Sequence, residues 1–173
     1  MSWKVQKKRY KNHSENFYLK NNINMSKIIL LESIRSMQNV GAIFRNSDGA
    51  WFEKVILTGH TPCPPRNDIS KTALGAQNFI DWEYYADVKE VIKKLKNDGY
   101  KIYSVELDER SVDYTELFHE SEEKVVLIMW NEINGVSKEL LDLSDKIIII
   151  PMRWKKESLN VSVAAWIVMY AVS

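Results

Sequence analysis

Three polar clusters, each directly behind an apolar run, hold the residues of this 173-residue chain whose types and spacing could do chemistry. The first reads Asn39-Val-Gly-Ala-Ile-Phe-Arg45-Asn-Ser-Asp-Gly49. The second reads Asn131-Glu132-Ile-Asn134-Gly135-Val-Ser137, and the third Pro151-Met-Arg153-Trp-Lys155-Lys156-Glu-Ser158-Leu-Asn160. In the third, three cations precede Ser158 and a helix opens near Asn160. Helix N-termini attract anions through free N–H groups and the backbone dipole, so a phosphate fits there. Each residue also has a plain structural use: Asn39 and Ser158 as helix caps, Arg45 as partner of a carboxylate, the lysines as solvated charges. The common nucleotide and metal signatures are missing, with no GxGxxG, no GxxxxGK loop, no HExxH and no CxxC. His13, His60 and His119 are scattered and read as surface residues, and no metal site is expected.

The elements that must position these clusters follow from the apolar pattern. Runs at Ile28 to Leu31, Lys54 to Leu57, Lys101 to Leu107, Val125 to Met129 and Ile147 to Ile150 alternate with helical patterns, the signature of βαβ units and a parallel sheet. Continuous apolarity in the last two indicates strands covered on both faces. Val40, Ile43 and Phe44 follow helical spacing behind Asn39, which is placed as an N-cap. Residues 87–98 are amphipathic and end at Gly99. Val161, Ala164, Ala165, Val168, Met169 and Val172 predict a C-terminal helix, buried on several sides because its other faces carry Val163, Ile167 and Tyr170. The Gly59–Asn67 stretch, with three prolines, reads as a surface connection or a binding loop. In open α/β sheets the ligand crevice lies outside the carboxyl ends of the strands, where all three clusters fall.

Size and composition bound the rest. The 45% apolar and 27% charged residues suit one globular α/β domain over 28–173. Residues 1–27 form a basic extension with seven cations and one acid, so this segment is +6 and the remainder −5. A basic arm suits an anionic partner such as nucleic acid, and Trp3, Tyr10, Phe17 and Tyr18 could stack on bases; a solvated terminus or a helix packed on the domain fits equally well. Cys63 has no second cysteine with which to form a disulfide, which points to a reducing compartment. No run is long and apolar enough to span a membrane, and no signal-type core is visible, so a cytoplasmic, soluble protein is expected.

Taken together over roughly 28–172, the three clusters resemble the motifs of the SpoU/TrmH family of RNA ribose 2′-O-methyltransferases in the SPOUT superfamily. The segment Lys71-Thr-Ala-Leu-Gly-Ala76 resembles the family's intermediate segment. The resemblance implies a parallel sheet flanked by helices with a C-terminal deep trefoil knot, S-adenosylmethionine as cofactor, tRNA or rRNA as partner, and a homodimer. It assigns Asn39, Arg45, Glu132, Ser158 and Asn160 to the catalytic set. Cofactor contact falls to the backbone around Leu107, Trp130, Ile150 and Leu159. Arginine is the family's hydroxyl activator; because a free guanidinium is effectively always protonated, orientation of the hydroxyl is the expected role. Ser158 would hold phosphate, Glu132 and Asn160 loop geometry, and Asn39 would position Arg45.

The chain departs from the family pattern in one direction. Tryptophan stands at 130 and 154, where the pattern has glycine, and at 51 and 166, where small residues are the rule. An indole at 130 is expected to crowd the cofactor. A single cause covers all four: UGA codons read as tryptophan in a gene whose source decodes UGA as glycine. It also explains equal counts of six glycines and six tryptophans. Genuine tryptophans instead predict a catalytically impaired RNA-binding relative. A third reading is a plain doubly wound nucleotide-binding enzyme with a small substrate and no RNA affinity.

Overall fold

The computed structural model describes residues 26–119, 123–130, 135–153, 155 and 158–173. Its centre is an all-parallel sheet of β1 (Ser26–Glu32), β2 (Lys54–Thr58), β3 (Asp81–Tyr85), β4 (Lys101–Val105), β5 (Val112–Asp113), β6 (Lys124–Trp130) and β7 (Lys146–Ile149), in the order β3-β2-β1-β6-β4-β7-β5. Helices α1 (Met37–Gly49), α2 (Asn67–Ala73), α3 (Val88–Asn97), α4 (Lys138–Asp142) and α5 (Val161–Ala171) complete it, with a short 3₁₀ turn over Tyr114–His119. The expected parallel α/β sheet is therefore present. β1 already includes Ser26 and Lys27, whereas residues 1–25 of the basic extension lie outside the described residues.

Alternation along the central strands divides the core in two. Val125, Leu127 and Met129 of β6 face a cluster shared with α1, α2 and α5. Val126, Ile128 and Trp130 face a second cluster with α3 and α4. This two-sided burial is why β1 and β6 read as unbroken apolar runs. Phe44 and Phe52 are fully buried on the α1 face, where truncation to alanine costs about 3–5 kcal/mol.

Four elements were not evident from periodicity, among them the two-residue β5 and the five-residue α4. β3 is an edge strand with exposed positions, so Asp-Trp-Glu-Tyr-Tyr has no apolar run. α2 has seven residues, too few to show a period. β4 also stops at Val105, two residues short of the expected Leu107.

The helix boundaries explain the site's placement. α1 is capped by Ser36, whose Oγ accepts the Asn39 N–H at 3.2 Å; Asn39 thus lies in the first turn and is not the expected N-cap. A Cβ at Gly41 would sit 2.2 Å from the Ile69 carbonyl oxygen and the Thr72 Oγ1, so only glycine permits α2 to pack so closely on α1. Thr72 Oγ1 donates to the Gln38 carbonyl at 2.9 Å and latches α2 to the turn that carries Asn39. α3 begins at Asp87, whose side chain accepts from Lys89 N, and is followed by Gly99 at φ +85°. α5 is not covered on several sides, since Val163, Trp166 and Tyr170 form an exposed i, i+3, i+7 stripe. Among the described residues no helix is long and apolar enough to cross a membrane.

Candidate active site at the carboxyl ends of the strands

β1 and β6 lie side by side at the middle of the sheet, with Glu32 opposite Trp130 at their carboxyl ends. α1 starts just beyond β1, and α5 packs against α1 on the same face. Asn160 caps α5: its Oδ1 accepts from Ser162 N at 2.9 Å and Ser162 Oγ at 2.7 Å. Its Nδ2 donates to Asn39 Oδ1 at 3.2 Å, joining residues 121 positions apart. One α1 turn pair further along, Asn46 Nδ2 donates to the Ser162 carbonyl at 3.0 Å. Two side-chain amides on one face of α1 therefore hold the start of α5 by directed hydrogen bonds. Arg45 projects from the same helix, exposed and engaged by no described side chain, so its five donors are available to a ligand. Ser158 is exposed two residues before the Asn160 cap.

The second half of the site is built from loops after β4, β6 and β7. Glu106 N donates to the Ile148 carbonyl at 3.0 Å. Its carboxylate accepts from Leu107 N at 2.8 Å through Oε1 and from Val136 N at 3.2 Å through Oε2. Its side chain thus ties the loop after β4 to residue 136 behind β6, while its backbone N–H joins β7. Hydrogen bonds to a charged acceptor contribute about 1.5–3 kcal/mol each. Leu107 is exposed, and Ile150 and Leu159 are half-buried. Trp130 is only 6% exposed; its indole packs in the α3/α4 cluster beside Val136, and its Nε1 is buried without a hydrogen-bond partner.

The structure thus brings Asn39 and Asn160 into contact, sets Arg45 on the helix that carries Asn39, and leaves Ser158 adjacent. Glu132 and Trp154 lie outside the described residues. Sequence reasoning missed Glu106, Ser162 and Asn46. Asn46, seven residues after Asn39, is detectable by its i, i+7 spacing; Glu106 has no local signal, because its role depends on a second loop, 30 residues on. Among the described residues no cluster of three or more His, Cys, Asp or Glu could hold a metal ion.

Such an arrangement, a parallel sheet with an amide-linked pair of helices beside loops tied at the strand ends, is an α/β fold of the class in which ligands bind outside the carboxyl ends of the strands. Residues 26–170 match the model of the SpoU rRNA Methylase family, and the chain belongs to that family. It is 31% identical over 169 residues to an uncharacterized tRNA/rRNA methyltransferase of Borreliella burgdorferi, covering 98% of this chain and 72% of that one. It is 38% identical over 146 residues to a tRNA (guanosine(18)-2′-O)-methyltransferase of Aquifex aeolicus, covering 83% and 66%. The structure superposes on an AdoMet-bound rRNA methyltransferase from Sinorhizobium meliloti with a TM-score of 0.78 at 26% identity, covering 85% of this chain and 55% of that one. The chain spans about 60% of the length of several other curated relatives, among them the Escherichia coli tRNA (guanosine(18)-2′-O)-methyltransferase.

Proposed function

We propose that this protein transfers a methyl group from S-adenosylmethionine to a ribose 2′-OH of tRNA or rRNA. The observation that carries the reading is the Asn160 to Asn39 hydrogen bond, which joins the first and third sequence clusters at the strand ends. The names and cofactor of the matched proteins point the same way. Within this reading the chain between β7 and α5 is threaded as a deep trefoil knot. Packing of α5 against both α1 and the 3₁₀ turn of the β4–β6 connection supports that path. The exposed stripe of Val163, Trp166 and Tyr170, too apolar to be left in water, is covered by a second copy in a homodimer.

S-adenosylmethionine supplies an electrophilic methyl group. The loops would fit it: with the Leu107 N–H engaged by Glu106, the Leu107 carbonyl and the backbone at Ile150 and Leu159 would offer acceptors and donors to an adenosyl group. Trp130 is the exception. Its orphaned indole N–H costs about 1–3 kcal/mol, a penalty that a residue without a side chain would not incur.

In-line attack needs the 2′-OH held in direction and the neighbouring phosphate fixed. Arg45 presents its guanidinium donors toward the hydroxyl and adjacent phosphate. Ser158, with Arg153 and Lys155 near it in sequence, holds phosphate oxygens, and Glu132 secures the loop after β6. Asn39 and Asn160 keep α1 and α5 in one geometry, so that Arg45 is pre-placed. Incubation with methyl-labelled S-adenosylmethionine and unmodified tRNA or rRNA is expected to leave label in the RNA, reduced at least tenfold by Asn160→Ala. Salt-sensitive RNA binding with neither cofactor binding nor transfer supports the impaired RNA-binding reading instead.

A further inference from the structure

The edge strand β3 carries a feature that the methyl-transfer site does not use. Phe79, Trp82 and Tyr84 are 81%, 36% and 47% exposed, and none is covered by a described element. Trp82 lies opposite Val55 and Tyr84 opposite Leu57, residues of the α1-side core, so both rings stand on the sheet face that also carries α1 and α5. Their i, i+2 spacing puts the two rings roughly 7 Å apart along the strand, room for one base to be accommodated on each. Tyr84 is held in place, since its Oη donates to the Gly59 carbonyl at 2.9 Å.

Charge favours an anionic occupant. Asp81 and Glu83 fall on the opposite face by strand alternation, and Glu83 is paired there with Lys54 at 2.6 Å. Asp68 of α2 is neutralised by Lys71 at 2.8 Å. Arg66, at the start of α2, and Arg35, just before α1, are exposed and engage no described side chain. The aromatic face is therefore free of unpaired carboxylates from its own strand, and two exposed cations stand at the starts of α1 and α2, the helices packed on the same sheet face.

The strip is also continuous with the site. Gly59, which accepts from Tyr84, approaches Ser33 so closely that a Cβ there would meet Ser33 Oγ at 2.3 Å, and Ser33 precedes the α1 cap by three residues. On the other side α2 leads from the Gln38 latch to exposed Leu74 and on to Phe79.

We propose that Phe79, Trp82 and Tyr84 form a stacking platform for unpaired bases of the RNA substrate, flanking the nucleotide presented to Arg45. This rests on the RNA-methylating reading above. Exposed aromatics on a strand beside cations are a sequence-tolerant way to grip single-stranded bases, each stacked base being worth a factor of roughly 5–150 in affinity. Stacking releases no counterions, so it leaves the salt dependence untouched, whereas loss of a phosphate-contacting arginine reduces the slope.

The test uses the full chain and a fluorescently labelled unmodified tRNA transcript, with a blunt RNA duplex as the control probe. Phe79→Ala and Trp82→Ala are expected to weaken transcript binding at least fivefold each. The slope of log affinity against log salt should stay unchanged, and Trp82→Phe should retain most of the affinity. Duplex binding should be insensitive to all three variants, and melting curves establish that each is folded. Equal transcript affinity in wild type and alanine variants overturns the platform while leaving the methyl-transfer reading intact. A change of molecular mass in solution on substitution overturns it in favour of a protein interface. Failure of the wild type to bind the transcript while it binds S-adenosylmethionine overturns both.

Discussion

The two halves of the site are built on different principles. On the α1/α5 side, side chains specify the geometry: Asn39 and Asn46 link α1 to the start of α5 by two directed bonds, and two more from Ser162 fix the Asn160 cap. On the β4/β6/β7 side, Glu106 does so, its carboxylate bridging Leu107 N and Val136 N and its backbone N–H joining Ile148 of β7. The contrast indicates where each kind of defect should appear: in turnover on the first side and in cofactor affinity on the second.

The largest effect is expected at Arg45. Arg45→Ala should lower kcat by about 10²–10³ with cofactor affinity unchanged, the loss typical of one preorganised donor at a reacting oxygen. Steady-state kinetics alongside calorimetry separates the two quantities, and a matching loss of cofactor affinity would break the division of labour. Next comes Glu106→Ala, which removes the carboxylate that holds Leu107 N and Val136 N. It should weaken S-adenosylmethionine binding at least tenfold, about 1.4 kcal/mol, while kcat at saturation holds. Trp130→Gly probes the same side: it removes the orphaned N–H but also an indole packed in the α3/α4 cluster, so it is expected to lower the melting temperature.

A smaller effect is expected at Trp51, which follows the C-cap Ala50 of α1 at φ +58°, a left-handed position that favours glycine. Trp51→Gly should raise stability by about 1 kcal/mol in chemical denaturation. This backbone conformation strengthens the codon reading of 51, 130, 154 and 166, which sequencing of the gene decides: UGA at all four sites is expected, and UGG there would contradict it.

Lys27 lies at the amino end of β1, away from both halves, and should not affect turnover. Burial pushes its amine down from the ordinary value of 10.5 to about 8. Between pH 8 and 10.5 the unfolded chain binds more protons than the folded one, so this residue's penalty is full below pH 8 and fades as pH rises to 10.5. Lys27→Met should therefore raise the melting temperature at pH 7, with the gain shrinking toward pH 10.5.

How far the sequence foretold this molecule differs between regions for the same physical reason. Strands covered on both faces announce themselves, as Val125 to Met129 does, because burial forces every position to be apolar. Edge strand β3, solvated on one side, carries no such mark. At the site, Asn39, Arg45 and Asn160 were legible because polar residues stand out behind apolar runs. The Asn39 to Asn160 contact spans 121 positions, and no local pattern encodes it. Glu106 escaped notice because a carboxylate after a strand is ordinary until a second loop, 30 residues on, bonds to it. The cap of α1 was misplaced by three residues because Ser36 and Asn39 are both good capping types.

The position of the transferred methyl group separates ribose from base methylation. Mass spectrometry of nuclease-digested RNA after incubation with the wild-type chain and S-adenosylmethionine should show a 2′-O-methylated nucleotide, absent with Arg45→Ala. A methyl group on a base, or RNA left unmodified by a chain that binds both RNA and cofactor, would contradict the proposed 2′-O transfer.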